Sequence, residues 1–170
     1  MAKTTTLMSD SMIKLLNYRI QEEEQSARIY LAMTMWLWDK GYLGAAKLFK
    51  KYSDEEYDHA DKARDMLLAH GIQPKTPSLA APKDSFKSFA EVIKLGHTHE
   101  QEITRQCQDL AAAAQKEQNY MVLELALWYC KEQVEELDKF QNFLDRLDAF
   151  GTEPDVLRLL DAEMGEMAGS

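Results

Sequence analysis

An acidic residue and a histidine interrupt the apolar face of one predicted helix. In the stretch "SDEEYDHADK", residues 53–62, Glu56 lies four residues after Tyr52, and His59 follows three residues later. Residues three or four apart share one face of an α-helix, so both side chains point to where apolar packing is expected. A Glu-x-x-His pair on a helix can hold a metal ion, although a single pair is a weak signal.

The other three long helices carry polar residues at equivalent places. Glu23 lies three residues after Ile20 on the first helix, and Glu100 lies three residues before Ile103 on the third. The fourth helix contributes two such residues. Because all of them fall near the middle of their helices, they are predicted to meet at one level of a bundle. This set, the inner cluster, consists of Glu23, Glu56, His59, Glu100, Gln133 and Glu136.

Four buried carboxylates need positive charge nearby. Burial without compensation costs several kcal/mol per ion, and mutual repulsion raises the carboxyl pKa values. We expect one inward histidine and no inward lysine or arginine at this level, which leaves metal ions to supply the charge. Carboxylates with an imidazole suit iron, manganese or zinc, and a shared Glu56 would make the centre dinuclear. The alternative is that some acids lie at exposed edges of the apolar stripes.

The composition predicts an all-α protein. The chain has 170 residues, of which 45% are hydrophobic, with seven Gly and four Pro, so it suits one helical domain, residues 1–170. Ser9, Asp10 or Ser11 can cap the first helix, Gly71 can end the second, and Pro154 suits a first helical turn. The predicted helices span about 10–38, 45–70, 85–115, 119–148 and 154–164.

The lengths of the connections predict the topology. "DKGYLG" and "KEQN" are short, so the first two helices and the next two should form antiparallel hairpins. By contrast, "IQPKTPSLAAPKD" contains three prolines. About 15 extended residues span ~50 Å, whereas a helix of about 26 residues is ~39 Å long. The second connection can therefore cross the whole bundle, which predicts a four-helix bundle with one long crossover connection and a short fifth C-terminal helix.

Charge and hydropathy exclude several classes of partner. The net charge of -9 and the lack of a basic run argue against nucleic-acid binding. No stretch reaches the roughly 18 apolar residues of a membrane span, and the N-terminus lacks an apolar signal region, so we expect no membrane insertion or export. Cys107 and Cys130 lack metal-knuckle spacing and are predicted to be reduced core residues, which suits the cytoplasm.

Four segments carry a resemblance to a known family. "NYRIQEEEQSARIY", "YSDEEYDHADK", "HTHEQEIT" and "WYCKEQVEELDKF" together resemble the bacterial non-haem ferritins over nearly the whole chain. The resemblance implies a ferritin-like bundle that oxidises Fe(II) with dioxygen or peroxide and stores iron in a homo-oligomeric shell of twenty-four subunits. It also implies residue roles: one iron at Glu23, Glu56 and His59, a second at Glu56 and Glu100, and Gln133 or Glu136 close by.

The same resemblance extends to a tyrosine and to a second layer of acids. Tyr30 would be a redox-active tyrosine near the di-iron centre, or else a core aromatic residue with a bonded hydroxyl group. Glu55, Glu132 and Glu135, the outer acids, are rotated about 100° from the buried stripe. With Glu136 they correspond to a third iron site of bacterial ferritins, or else they form a solvated face.

At two places the sequence differs from related families of di-iron and haem-binding proteins. The fourth helix carries Gln133-x-x-Glu136 where bacterioferritins and many di-iron oxygenases have a second Glu-x-x-His, and Tyr57 stands where bacterioferritins have a haem-binding Met. No haem is therefore expected. A carboxylate-bridged di-iron oxidase or peroxidase and a metal-free helical interaction protein remain the alternatives. We expect His97 and His99 to be surface or interface residues.

Overall fold

Five α-helices make up the part of the chain that the computed structural model describes, residues 8–169, and no strand occurs there. They are α1 (Asp10–Asp39), α2 (Leu43–Ala69), α3 (Phe89–Lys116), α4 (Tyr120–Phe150) and α5 (Pro154–Gly169). None of these helices is long and apolar enough to cross a membrane. The predicted all-α class is confirmed.

Local signals in the sequence explain most helix ends. Ser9 caps α1, because its Oγ accepts a hydrogen bond from the Met12 amide at 3.2 Å. Gly71, two residues beyond the end of α2, adopts a positive φ of 70°. Helix α5 begins at Pro154 as predicted, but it continues to Gly169 rather than ending near residue 164.

The third helix begins later than predicted. It starts at Phe89 rather than near residue 85, because Ser88 is extended and its Oγ accepts a hydrogen bond from the Glu91 amide at 3.1 Å. This N-cap, rather than the apolar periodicity, fixes where the helix begins. The residues before it belong to the crossover connection.

The long connection runs beside α1, in the direction opposite to that of α2. Near its start, the Lys75 amide donates a hydrogen bond to Asn17 Oδ1 at 2.7 Å, and near its end the Phe86 ring lies 5.6 Å from the Trp36 ring. The connection therefore travels from the first turns of α1 to its last turns. Helix α3 consequently starts at the end of the bundle where α2 starts, so the two helices are parallel. The four-helix bundle with one long crossover is confirmed.

Two apolar clusters fill the two ends of the bundle. The first draws on the C-terminal halves of α1 and α4, the N-terminal halves of α2 and α3, and α5. The second draws on the opposite halves of the four long helices. Their central members are Tyr30, Phe49, Phe89 and Phe140 in the first cluster, and Leu16, Leu67, Cys107 and Tyr129 in the second. The level between them is therefore left to other side chains.

Helix α5 packs against the start of α2 and covers the first apolar cluster with Leu160 and Met164. The Ala45 amide donates a hydrogen bond to Asp161 Oδ1 at 2.8 Å. The backbones approach so closely that a Cβ atom at Gly44 would collide with the carbonyl of Asp161. Glycine at this position therefore allows the fifth helix to dock.

Candidate metal centre

The inner cluster lies at the level between the two apolar clusters. All six of its side chains are buried, and Glu23 and Glu100 are only 1% and 0% exposed. On each long helix these residues fall where one apolar cluster ends and the other begins. The structure thus places at one level the six residues that the sequence pattern singled out.

Three of these residues are arranged as ligands of one ion could be. His59 Nδ1 lies 3.4 Å from Glu56 Oε2 and 3.9 Å from Glu23 Oε2. Two ligand atoms that each lie ~2.1 Å from one ion are ~3–4 Å apart, so these distances fit. Among residues 8–169, Glu23, Glu56 and His59 are the one group of at least three His, Cys, Asp or Glu whose ligand atoms all lie within 4.8 Å of one another.

Two carboxylate oxygens of the inner cluster lack a hydrogen-bond donor. Glu23 Oε2 and Glu100 Oε2 are buried and accept no hydrogen bond. A buried acceptor without a partner is rare and destabilising. Burial, together with the neighbouring carboxylates Glu23 and Glu100, raises the pKa of Glu56 well above its usual value. Burial likewise raises the pKa of Glu100. A bound cation would satisfy the free oxygens and relieve this repulsion.

Tyr30 contacts the inner cluster directly. Its hydroxyl donates a hydrogen bond to Glu100 Oε1, and its ring is stacked on Phe140 with the centroids 6.0 Å apart. Burial and the charge of Glu100 raise its pKa well above the usual value, so the phenol stays protonated and acts as a donor. Tyr30 is therefore a core aromatic residue with a bonded hydroxyl group beside the acids, and its redox role stays a prediction.

An arginine at this level contradicts one expectation. Arg19 is only 2% exposed, and its Nε lies 2.8 Å from Glu23 Oε1. The expectation of no inward lysine or arginine was therefore wrong. The signal was available, since Arg19 lies three residues after Leu16 and four before Glu23, which places it on the apolar stripe of α1. Long cationic side chains are usually assigned to the surface.

The two inner-cluster residues of α4, Gln133 and Glu136, each accept a hydrogen bond from another side chain. Gln133 Oε1 accepts a hydrogen bond from Thr104 Oγ1 at 2.8 Å, and Glu136 Oε1 accepts one from Lys139 Nζ at 2.8 Å. Sequence reasoning also missed Lys139, whose side chain is 29% exposed. It lies three residues after Glu136, a spacing at which helical side chains pair.

The outer acids lie in a different environment. Glu55 and Glu132 are half-buried and Glu135 is exposed. In the described residues they do not form with Glu136 a group whose ligand atoms all lie within 4.8 Å. Burial alone would lower the pKa of Lys139, but the charges of Glu136, Glu55 and Glu135 raise it. The ammonium group of Lys139 is thus a cation that Glu55, Glu135 and Glu136 face.

The two histidines of α3, predicted to be surface or interface residues, differ in what surrounds them. Both are half-buried, and His99 Nε2 lies 2.7 Å from Ser26 Oγ. Burial lowers the pKa of His99 to about 4, so its imidazole is neutral at pH 7. The ring packs edge-on against Tyr30 at 6.0 Å. His99 therefore supports the tyrosine without adding charge to the centre.

Comparisons with known proteins agree with this architecture. The ferritin-like domain family matches residues 13–150. The chain is 32% identical over 158 residues to a bacterial non-heme ferritin of Staphylococcus haemolyticus, covering 93% of this chain and 95% of the relative. A probable bacterial non-heme ferritin-like protein of Haemophilus influenzae is 31% identical over 162 residues, covering 95% and 98%. The solved open pore ferritin of Archaeoglobus fulgidus superposes with a TM-score of 0.90 at 26% identity, covering 93% and 97%. The chain therefore belongs to the ferritin family.

Proposed function

We propose that the chain is an iron-storage ferritin subunit with ferroxidase activity. Pairs of Fe(II) ions bind as substrate in the inner cluster, are oxidised there, and pass as Fe(III) to a mineral inside a shell of subunits. The observation that carries this proposal is the pair of buried, unpartnered oxygens on Glu23 and Glu100. They lie in the one layer of the bundle where apolar packing gives way to acids.

The geometry of Glu23, Glu56 and His59 supports the proposed ligand roles. Glu23 and His59 would hold one iron together with Glu56, whose carboxylate can bridge to a second iron held by Glu100. Gln133 and Glu136 lie beside the second position, held by Thr104 and Lys139 respectively. Each pair of Fe(II) ions gives two electrons to an oxidant. Dioxygen takes up two protons and leaves as hydrogen peroxide, whereas hydrogen peroxide takes up two protons and becomes two waters.

Storage requires assembly, because one bundle has no cavity for a mineral. We propose a homo-oligomeric shell of twenty-four subunits in the cytoplasm. Large apolar side chains on the bundle surface are available for subunit contacts, since Met35 and Trp38 are each 60% exposed. Both cysteines are free, which suits a reducing compartment. No haem is proposed, because Tyr57 does not offer the thioether ligand of a haem-binding Met.

A di-iron oxidase or peroxidase acting on another substrate is the second candidate. Such an enzyme needs room for an organic substrate beside the metals. Next to Glu100, that space is filled by Tyr30, Phe49, Tyr52 and Phe140, whose ring centroids lie about 6 Å apart. Helix α4 also supplies Gln133 and Glu136 rather than a second histidine. The packing therefore favours iron itself as the substrate.

The test is aerobic addition of Fe(II) to the purified apoprotein, with the particle mass measured beforehand. We expect a particle of hundreds of kilodaltons, rapid oxidation of two irons per subunit, and then slower growth of a ferric mineral. A monomer or dimer that oxidises iron without accumulating mineral would favour the second candidate. A protein that neither binds nor oxidises iron would contradict both.

A further inference from the structure

Arg19 carries a permanent charge inside the bundle. Residues of α1 itself and of α3 contact its side chain: Nε lies 2.8 Å from Glu23 Oε1, and Nη1 donates to Gln106 Oε1 at 3.2 Å and to Cys107 Sγ at 3.7 Å. The guanidinium carbon also lies 6.0 Å from the centre of the Tyr129 ring on α4. Because arginine stays protonated in proteins, this charge is fixed in place as well as in sign.

The guanidinium divides the two oxygens of Glu23. Oε1 faces Arg19, whereas Oε2 accepts no hydrogen bond and lies 3.9 Å from His59 Nδ1. An oxygen paired with a guanidinium is a poorer donor to a metal ion. Glu23 therefore offers one oxygen to an incoming cation, and the carboxylate is already turned with that oxygen toward the other two ligands.

Lys139 is a cation of a different kind. Its side chain is 29% exposed and pairs with Glu136 from the rim of the inner cluster, whereas the side chain of Arg19 is 2% exposed. A lysine on a flexible stem can turn into solvent when a metal ion arrives. The side chain of Arg19 is held between helices at 2% exposure, so it turns into solvent less readily than Lys139. After loading, Arg19 is the cation that remains.

This arrangement of charges weakens binding of the ferric product more than binding of the ferrous substrate. With Lys139 turned away, the four buried carboxylates and one guanidinium leave three negative charges. Two Fe(II) ions carry four positive charges, so one charge stays unbalanced. Two Fe(III) ions carry six, so three charges stay unbalanced. Coulomb repulsion scales with the product of the charges, so a fixed positive charge disfavours a trivalent ion half as much again as a divalent ion at the same distance.

We propose that Arg19 is a specificity-determining residue that weakens retention of the ferric product more than capture of the ferrous substrate. The inference rests on the proposed function, since it concerns the direction in which iron leaves the same centre. As a consequence, the centre releases Fe(III) and becomes free to bind the next pair of Fe(II) ions. Without the guanidinium, the centre would bind cations more tightly and hold its product.

The first test is anaerobic Co(II) binding to the whole assembled apoprotein, followed by visible absorption. Arg19→Gln and Arg19→Met remove the charge with different polarity, and we expect each to bind the first Co(II) at least about tenfold more tightly than wild type. Arg19→Lys keeps the charge and should stay within about threefold of wild type. Arg64→Gln is the matched control, because Arg64 pairs with Glu24 outside the inner cluster and is 26% exposed.

The outcomes separate the two proposals. Wild-type protein that binds no Co(II) at the inner cluster would contradict the proposed function and this inference together. Wild-type binding with unchanged or weaker binding in both neutral variants would overturn the inference alone. Equal tightening in Arg64→Gln would also overturn it, because a general change in surface charge would then explain the effect.

The second test measures release with two successive aerobic additions of Fe(II), each of two irons per subunit. Wild type should oxidise the second addition at close to its first rate. In Arg19→Gln the retained product should slow the second addition by at least about threefold relative to the first. A purely structural defect would slow both additions alike, so an unchanged ratio of the two rates overturns the inference.

Discussion

Each outer acid directly precedes a residue of the inner cluster in the sequence, yet the two sets lie in different environments. Glu56 is 5% exposed and lies among other carboxylates, while Glu55 is half-buried near Lys139. One residue along a helix is a rotation of about 100°, which separates the centre of the bundle from its rim. The inner acids are compensated by a fixed arginine and by the metal ions we propose. Glu55 and Glu135, among the outer acids, are compensated by a lysine that solvent can reach.

Removing an inner ligand gives the largest expected effect. We expect Glu56→Ala and His59→Ala each to abolish rapid iron oxidation while the particle still assembles, because the ligands lie within one bundle. Stopped-flow absorbance of Fe(II) oxidation measures the rate. Asp58→Ala is the matched control, since Asp58 lies between the two ligands on α2 but is exposed. Wild-type oxidation rates in Glu56→Ala and His59→Ala would contradict the roles of these residues as iron ligands and, with them, the distinction between the inner cluster and the outer acids.

The stability of the metal-free protein should depend on pH through the inner cluster. A carboxyl group with a raised folded pKa holds its proton more tightly when folded, so stability is lost as pH rises. For Glu100 this window runs from its ordinary 4.5 to about 8. The loss reaches at most ~1.4 kcal/mol per pH unit for each such group. Denaturant unfolding of the apoprotein from pH 5 to pH 8 measures it.

Glu100→Gln isolates this contribution, because the amide keeps the shape of the side chain and does not titrate. We expect its unfolding free energy to change less between pH 5 and pH 8 than that of wild-type apoprotein. Bound metal should flatten the wild-type dependence in the same way. A wild-type apoprotein that becomes more stable with rising pH, relative to Glu100→Gln, would contradict the raised pKa.

Substitutions among the outer acids and at Lys139 should have a smaller effect, on the binding of a third iron. The third iron site stays a prediction. If it exists, it must displace the ammonium group of Lys139, so Lys139→Ala should bind a third iron more tightly than wild type, by several-fold. Glu132→Ala should lose the third iron and keep the first two. Equilibrium dialysis of Fe(II) under nitrogen measures both. An unchanged third binding step in both variants would leave these acids as a solvated face.

Tyr30→Phe should have the smallest effect. The substitution removes the hydroxyl that bonds Glu100 but keeps the ring stacked on Phe140. We expect two irons still to bind and the oxidation rate to fall a few-fold, because one hydrogen bond to Glu100 is lost while every ligand side chain stays in place. Freeze-quenched electron paramagnetic resonance should show no tyrosyl radical in the variant. Unchanged kinetics would make Tyr30 a packing residue.

Sequence patterns predicted the frame and the layer of acids, and missed the cations. Periodicity located the apolar stripes, and an acid within a stripe is conspicuous because its alternative position is in water. Arg19 lies on the same stripe, but a long side chain can reach the surface from many positions. Only the packing of Gln106, Cys107 and Tyr129 around it shows that it is enclosed. The start of α3 was missed because a single serine decided it.

Anaerobic soaking of wild-type crystals with Fe(II), read by anomalous scattering at the iron absorption edge, tests the central claim most directly. We predict two peaks in each subunit, one bounded by Glu23, Glu56 and His59 and the other between Glu56 and Glu100. Any density beside the outer acids should appear only at higher iron concentration. Iron density at surface carboxylates with none within the inner cluster would contradict the account.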